Sequence, residues 1–121
     1  MQRRAFIRLL QGAAVAMAVA APAASNAADR VTIHLDQYNG YFAAQETLAG
    51  LKPGEYEFIV ANKAGKLVGF ELRDLATGER LDMFPLEPGQ TRSSVVQITA
   101  NGFRYRCPIN PTPWYEVSVG K

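Results

Sequence analysis

Apolar and polar residues alternate with a period of two along most of the chain after position 30, and this period dictates the fold class. Val31, Ile33 and Leu35 alternate with Thr32, His34 and Asp36, and Tyr56, Phe58 and Val60 with Glu55, Glu57 and Ile59. Val68, Phe70 and Leu72 alternate with Gly69, Glu71 and Arg73, and Phe103, Tyr105 and Cys107 with Arg104 and Arg106. Successive side chains of a strand point to opposite faces, so each run predicts a half-buried strand with its apolar side inward. Val95–Ile98 and Trp114–Val119 complete the set. Turn signals separate the runs. Leu51-Lys52-Pro53-Gly54-Glu55-Tyr56 and Leu86-Glu87-Pro88-Gly89-Gln90-Thr91 share the frame Leu-x-Pro-Gly, whose proline and glycine suit a type II turn. Asn101-Gly102 makes a third reversal, and Asn62–Gly65 and Ala76–Glu79 are further loops. Seven to eight short strands, with a turn roughly every 8–12 residues, predict an all-β sandwich or small barrel. Only Phe42–Leu51 leaves room for helix, and before Leu-Lys-Pro-Gly it makes at most one turn.

Residues 1–27 follow a different rule. Gln2-Arg3-Arg4-Ala5-Phe6-Ile7-Arg8 is a positive segment, and Leu9 to Ala24 is apolar apart from Gln11, Gly12 and Pro22. Ala24-Ser25-Asn26-Ala27-Ala28 then offers small residues for cleavage, placed after Ala27. The uninterrupted run Ala13–Ala21 is too short for the roughly 20 residues that cross a bilayer, so no membrane span is expected after cleavage. The pattern Arg-Arg-x-Phe-Ile-Arg resembles the twin-arginine export signal, with Gln2 in place of its serine. That resemblance implies export to the periplasm in a folded state, often with a metal already inserted.

Removing the leader changes the charge. Three of the 13 basic residues precede position 28 and all 11 acidic residues follow it, so residues 28–121 carry −1 where the full chain carries +2. No basic footprint for nucleic acid survives. These residues make one domain with a modest core. A lone cysteine excludes an internal disulfide; in an oxidising compartment it is a metal ligand, an intermolecular partner or a buried hydrophobe. With one histidine and no Ser-His-Asp set, His-Glu-x-x-His, Cys-x-x-Cys or phosphate-binding glycine loop, classical hydrolase chemistry is close to excluded. Any enzymatic role is metal redox.

Pro-Gly-Glu-Tyr-Glu-Phe-Ile-Val-Ala-Asn (53–62), Gly-Phe-Glu-Leu (69–72), Glu-Pro-Gly-Gln-Thr (87–91) and Tyr-Arg-Cys-Pro (105–108) resemble the cupredoxin-like family. In particular they are similar to the cupredoxin module of periplasmic ferrous-iron permease systems. The resemblance spans most of residues 31–121 and implies a Greek-key sandwich, with 28–121 as the cupredoxin-like domain. It places Cys107 at the position that ligates copper. A blue-copper site needs two histidines, a cysteine and usually a weak axial methionine. Pro108–Trp114 contains neither histidine nor methionine, and Gly69–Glu71 contains no histidine, so a type 1 copper centre is not expected.

Four residues are candidate ligands for copper or iron. Cys107 offers a thiolate, or is a small core residue in line with Phe103 and Tyr105. Glu71 matches the carboxylate of the iron-transport module, although alternation turns it away from the core as a solvated strand residue. His34 lies on the polar side of its strand, where a lone histidine is usually only surface. Met83, in Leu81-Asp82-Met83-Phe84-Pro85 before a turn, offers a thioether or fills the core; Asp82 and Glu87 are weaker oxygen candidates nearby. Trp114, Tyr115 and the Pro108–Pro113 segment make either a docking surface or a stiff connection.

By resemblance, the protein is an accessory of ferrous-iron uptake that aids Fe(II) oxidation or delivery. Its implied partners are a membrane iron permease and a second periplasmic iron-binding protein. A metal-free interaction module and a copper chaperone are the alternatives.

Overall fold

The computed structural model describes residues 30–120, so the expected leader and its cleavage site lie outside the described residues. Eight strands follow one another: β1 (Val31–Tyr38), β2 (Tyr41–Ala44), β3 (Gly54–Asn62), β4 (Val68–Asp74), β5 (Arg80–Leu86), β6 (Thr91–Ile98), β7 (Phe103–Arg106) and β8 (Tyr115–Val117). They form two four-stranded sheets, ordered β2-β1-β3-β6 and β5-β4-β7-β8. Neighbours are antiparallel except β1 and β3, which run parallel with Val31 opposite Tyr56. The described residues contain no helix, so none crosses a membrane.

The alternation sets the core. Ile33, Leu35, Phe58 and Val60 from the first sheet and Phe70, Leu72, Phe103 and Tyr105 from the second are buried together. Phe58 joins the two layers, with its ring 6.0 Å from Phe70 and 5.3 Å from Phe103. Burying each such ring stabilises the fold by about 1.5–3 kcal/mol. The result is all-β and sandwich-like, as the period of two predicts.

The two Leu-x-Pro-Gly frames diverge, and the residue two places after the glycine decides how. Tyr56 donates its hydroxyl to the Lys52 carbonyl at 2.5 Å, the bond of a tyrosine corner, and Gly54 has a nearly extended φ of 156° as the first residue of β3. The expected type II turn is therefore absent there. Position 91 is threonine, and that frame closes as expected: Gly89 has φ 77° and Gln90 N–H donates to the Glu87 carbonyl at 2.9 Å.

Two strands depart from the sequence expectation. Phe42–Leu51 contains no helical turn; it begins within β2 and continues as irregular chain. Asn39 and Gly40, at φ 55° and 104°, form a two-residue hairpin loop of the I′ kind between the paired Tyr38 and Tyr41. β5 also forms where a segment leading into a turn was expected. Its alternation is masked by a register shift against β4 at Leu72/Arg73 and by Pro85, which an edge strand tolerates.

Candidate functional site

Cys107 follows the last residue of β7 and keeps the inward direction of Phe103 and Tyr105, with 0% of its surface exposed. Its Sγ accepts the Asn110 backbone N–H at 3.3 Å. The rest of the β7–β8 loop is tied to the β1–β2 hairpin. Asn110 Nδ2 donates to the Asn39 carbonyl at 2.8 Å and the Thr112 hydroxyl to the Gly40 carbonyl at 2.9 Å. The wholly buried Gln37 accepts the Gly40 N–H at 2.5 Å and donates to the Gly69 carbonyl at 2.7 Å. A Cβ on Gly69 would stand 3.2 Å from the Pro108 ring, so β4 and the loop approach closely at this point. These hydrogen bonds fasten the loop to the hairpin, and the buried thiol closes the end of the core.

Glu71 points to the opposite face of the same sheet. It is only 4% exposed, so the expected solvated carboxylate is instead covered, and long arginine side chains cover it. Arg73 reaches Oε2 with both Nε and Nη2 at 2.8 Å; Arg80 Nε lies 3.5 Å from Oε2 and Arg106 Nε 3.9 Å from Oε1. Met83 pairs with Glu71 across β4–β5 on that outer face and is 42% exposed, outside the core it was a candidate to fill. His34 belongs to the other sheet, where its backbone N–H and Nδ1 each meet a Glu46 oxygen at 2.6 Å. Burial works to raise the Glu46 carboxyl, but the His34 N–H and ring outweigh it and hold it below the ordinary value. Asp82 accepts the Ser94 hydroxyl and the Met83 N–H, and Glu87 sits in the exposed turn.

The four candidate ligands are thus not brought together. Cys107 faces the core, Glu71 and Met83 the outer side of that sheet, and His34 a different sheet. Among the described residues no three of His, Cys, Asp and Glu gather closely enough to hold a metal ion. Copper of the blue type asks for imidazoles beside the thiolate, and ferric iron for free carboxylate oxygens. The neighbourhood of Cys107 supplies backbone amide and apolar surface, and the oxygens of Glu71 are engaged by guanidinium groups. The donor set does not fit either metal.

What the structure does assemble is a cationic sheet face. Arg80, Arg73, Arg104 and Glu116 lie in register across β5, β4, β7 and β8, and Met83, Glu71 and Arg106 form the next row. Trp114 carries both β7 arginines, with the Arg104 and Arg106 guanidinium carbons 4.5 and 4.2 Å from its ring centre. Beside these rows an open recess of about 260 Å³ is lined by Gly69, Met83, Phe84, Pro85, Pro108 and Ile109. In the sequence, Arg104 and Arg106 served only as the polar half of an alternating strand; their spacing of two, which puts both on one face, was the available signal. Below them, burial and then electrostatic repulsion from the Tyr115 phenol, whose ring stacks 5.1 Å away, push Tyr105 up to about 12.

No protein-family model and no curated protein matches the chain.

Proposed function

We propose that the chain is an exported, cupredoxin-like accessory domain of ferrous-iron uptake that works by docking to a partner and holds no redox metal of its own. The observation that carries this reading is the state of Cys107: its sulfur lies in the core against the Asn110 N–H, and no second candidate ligand shares its face. Two four-stranded sheets and a late strand leading into Tyr-x-Cys support a Greek-key sandwich of cupredoxin type. The twin-arginine pattern of residues 2–8 supports a periplasmic location, and the similarity to iron-permease cupredoxin modules supports the uptake setting. In that setting the membrane permease and a second iron-binding protein are the partners. The metal would then be cargo handled elsewhere in the assembly.

Metal analysis of the mature protein recovered from the periplasm tests this, together with a ferrous-oxidation assay. The reading predicts far less than one copper or iron per chain and no oxidation above buffer. Stoichiometric metal that disappears in Cys107→Ser would restore a metal centre, and oxidation activity would then separate an oxidase from a copper chaperone.

A further inference from the structure

The cationic face described above is built at a cost to the free chain. Like charges directly opposite one another on neighbouring strands repel, yet Arg80, Arg73 and Arg104 stand abreast on β5, β4 and β7. One covered carboxylate, Glu71, offsets part of this. Among the described residues no carboxylate lies within 4.0 Å of Arg104, and the buried Nε groups of Arg104 and Arg106 have no hydrogen-bond partner. Rows of this kind are satisfied by anions. Guanidinium groups held over a tryptophan ring present forks that match carboxylates. All four positive charges on this face are arginine, set against the two carboxylates Glu71 and Glu116, whereas Lys52, Lys63 and Lys66 lie in loops.

The recess gives the occupant a second property. Met83 and Ile109, 42% and 48% exposed, line a concave apolar surface next to Glu71 and Arg106. A concave site takes an apolar side chain in, while a bilayer is engaged by apolar groups that protrude from the protein. A second copy of the chain is a poorer match. On the outer side of the other sheet Glu55 and Glu57 already pair with Arg30, and Glu46 with His34. Contact between unlike faces of two copies would also be heterologous, building a ring or a filament and not a two-fold dimer.

We infer that the outer face of the β5-β4-β7-β8 sheet docks an acidic polypeptide segment of another protein. Its carboxylates pair with Arg80, Arg104 and Arg106, and one apolar side chain enters the recess between Met83 and Ile109. The inference rests on the docking reading above and names the chemistry of the partner.

The probe is a short fluorescent peptide alternating glutamate with leucine, followed by anisotropy against the mature domain, with and without chelator. An isomer with glutamine for every glutamate is the control. The acidic peptide is expected to bind, to weaken with added salt, and to lose about tenfold in affinity in Arg106→Gln and again in Arg80→Gln. Met83→Ser should weaken it while leaving the salt dependence unchanged, and Lys63→Gln should do nothing. Circular dichroism confirms that each variant is folded, and the exposed Arg80 keeps the test open if Arg106→Gln is not. Equal binding of the glutamine isomer, or no peptide binding with or without chelator, would overturn this assignment alone. Binding only without chelator would instead overturn the metal-free reading. Preference for phosphatidylglycerol vesicles over the peptide, or concentration-dependent self-association that occupies the face, would also overturn it.

Discussion

Glu71→Gln isolates the charge at the centre of the arginine rows while keeping the side chain's shape. Glu71 accepts two contacts of 2.8 Å from Arg73, with Arg80 and Arg106 further out. Hydrogen bonds to charged groups contribute about 1.5–3 kcal/mol each. Two considerations lower the sum. Glutamine keeps one carbonyl acceptor, and the arginines remain partly exposed and recover hydration once released. Against that, the repulsion within the row of Arg80, Arg73 and Arg104 is no longer compensated. The net loss is about 2 kcal/mol, or roughly 8–16 °C in Tm for a domain of this size. Urea unfolding at low salt measures it. With a slope near 1 kcal/mol per molar, the midpoint falls by about 2 M. Added salt screens the arginines and narrows the gap between variant and wild type. Glu116→Gln, at the exposed end of the same row, serves as control and stays within about 0.5 kcal/mol. If Glu71→Gln also stayed within that margin, the carboxylate would not be holding the arginines and the account of this face would fail.

Other positions give sharper or simpler readings. Gly102 has φ 83° and a Cβ there would lie 2.6 Å from the Val117 carbonyl, so Gly102→Ala should cost at least about 2 kcal/mol in chemical unfolding. Tyr56→Phe removes the hydroxyl bond to Lys52 and should cost about 1 kcal/mol, whereas a loss below a few tenths would mean the corner bond contributes nothing. Tyr105 keeps its proton to about pH 12 in the folded chain, so stability is complete below pH 10. As pH rises further the unfolded chain ionises first, and up to about 3 kcal/mol is lost between pH 10 and 12; Tyr105→Phe should flatten that part of the stability curve.

Particular residues show why some of this was legible in the sequence. The alternation of Phe103, Tyr105 and Cys107 with Arg104 and Arg106 is enough to orient β7, because side-chain direction in a strand is a local property. The same logic turns Glu71 outward. It does not reveal that Glu71 is covered, since Arg80 and Arg106 come from strands that become its neighbours only once the register is set. β2 was obscured by apolar residues that read equally as a helical turn, although Asn39-Gly40 carried the hairpin signal. β5 was obscured by its bulge, which breaks the period at the point where Arg73 meets Arg80. The closure around Cys107 depends on the nearby Asn110 and on Gln37 and Asn39, which are distant in sequence and unremarkable in type. A thiol's position in the chain says which way it points, and long-range hydrogen bonds decide whether anything can reach it.

The most direct test of the central claim is isothermal titration of the reduced, metal-free mature domain with Cu(I), Cu(II) and Fe(III), alongside Cys107→Ser. A buried thiol engaged by the Asn110 N–H, with no second ligand on its face, predicts no sub-micromolar binding of any of the three ions and the same traces from the variant. One-to-one sub-micromolar binding that vanishes with the thiol would contradict it and place a metal centre at the end of β7.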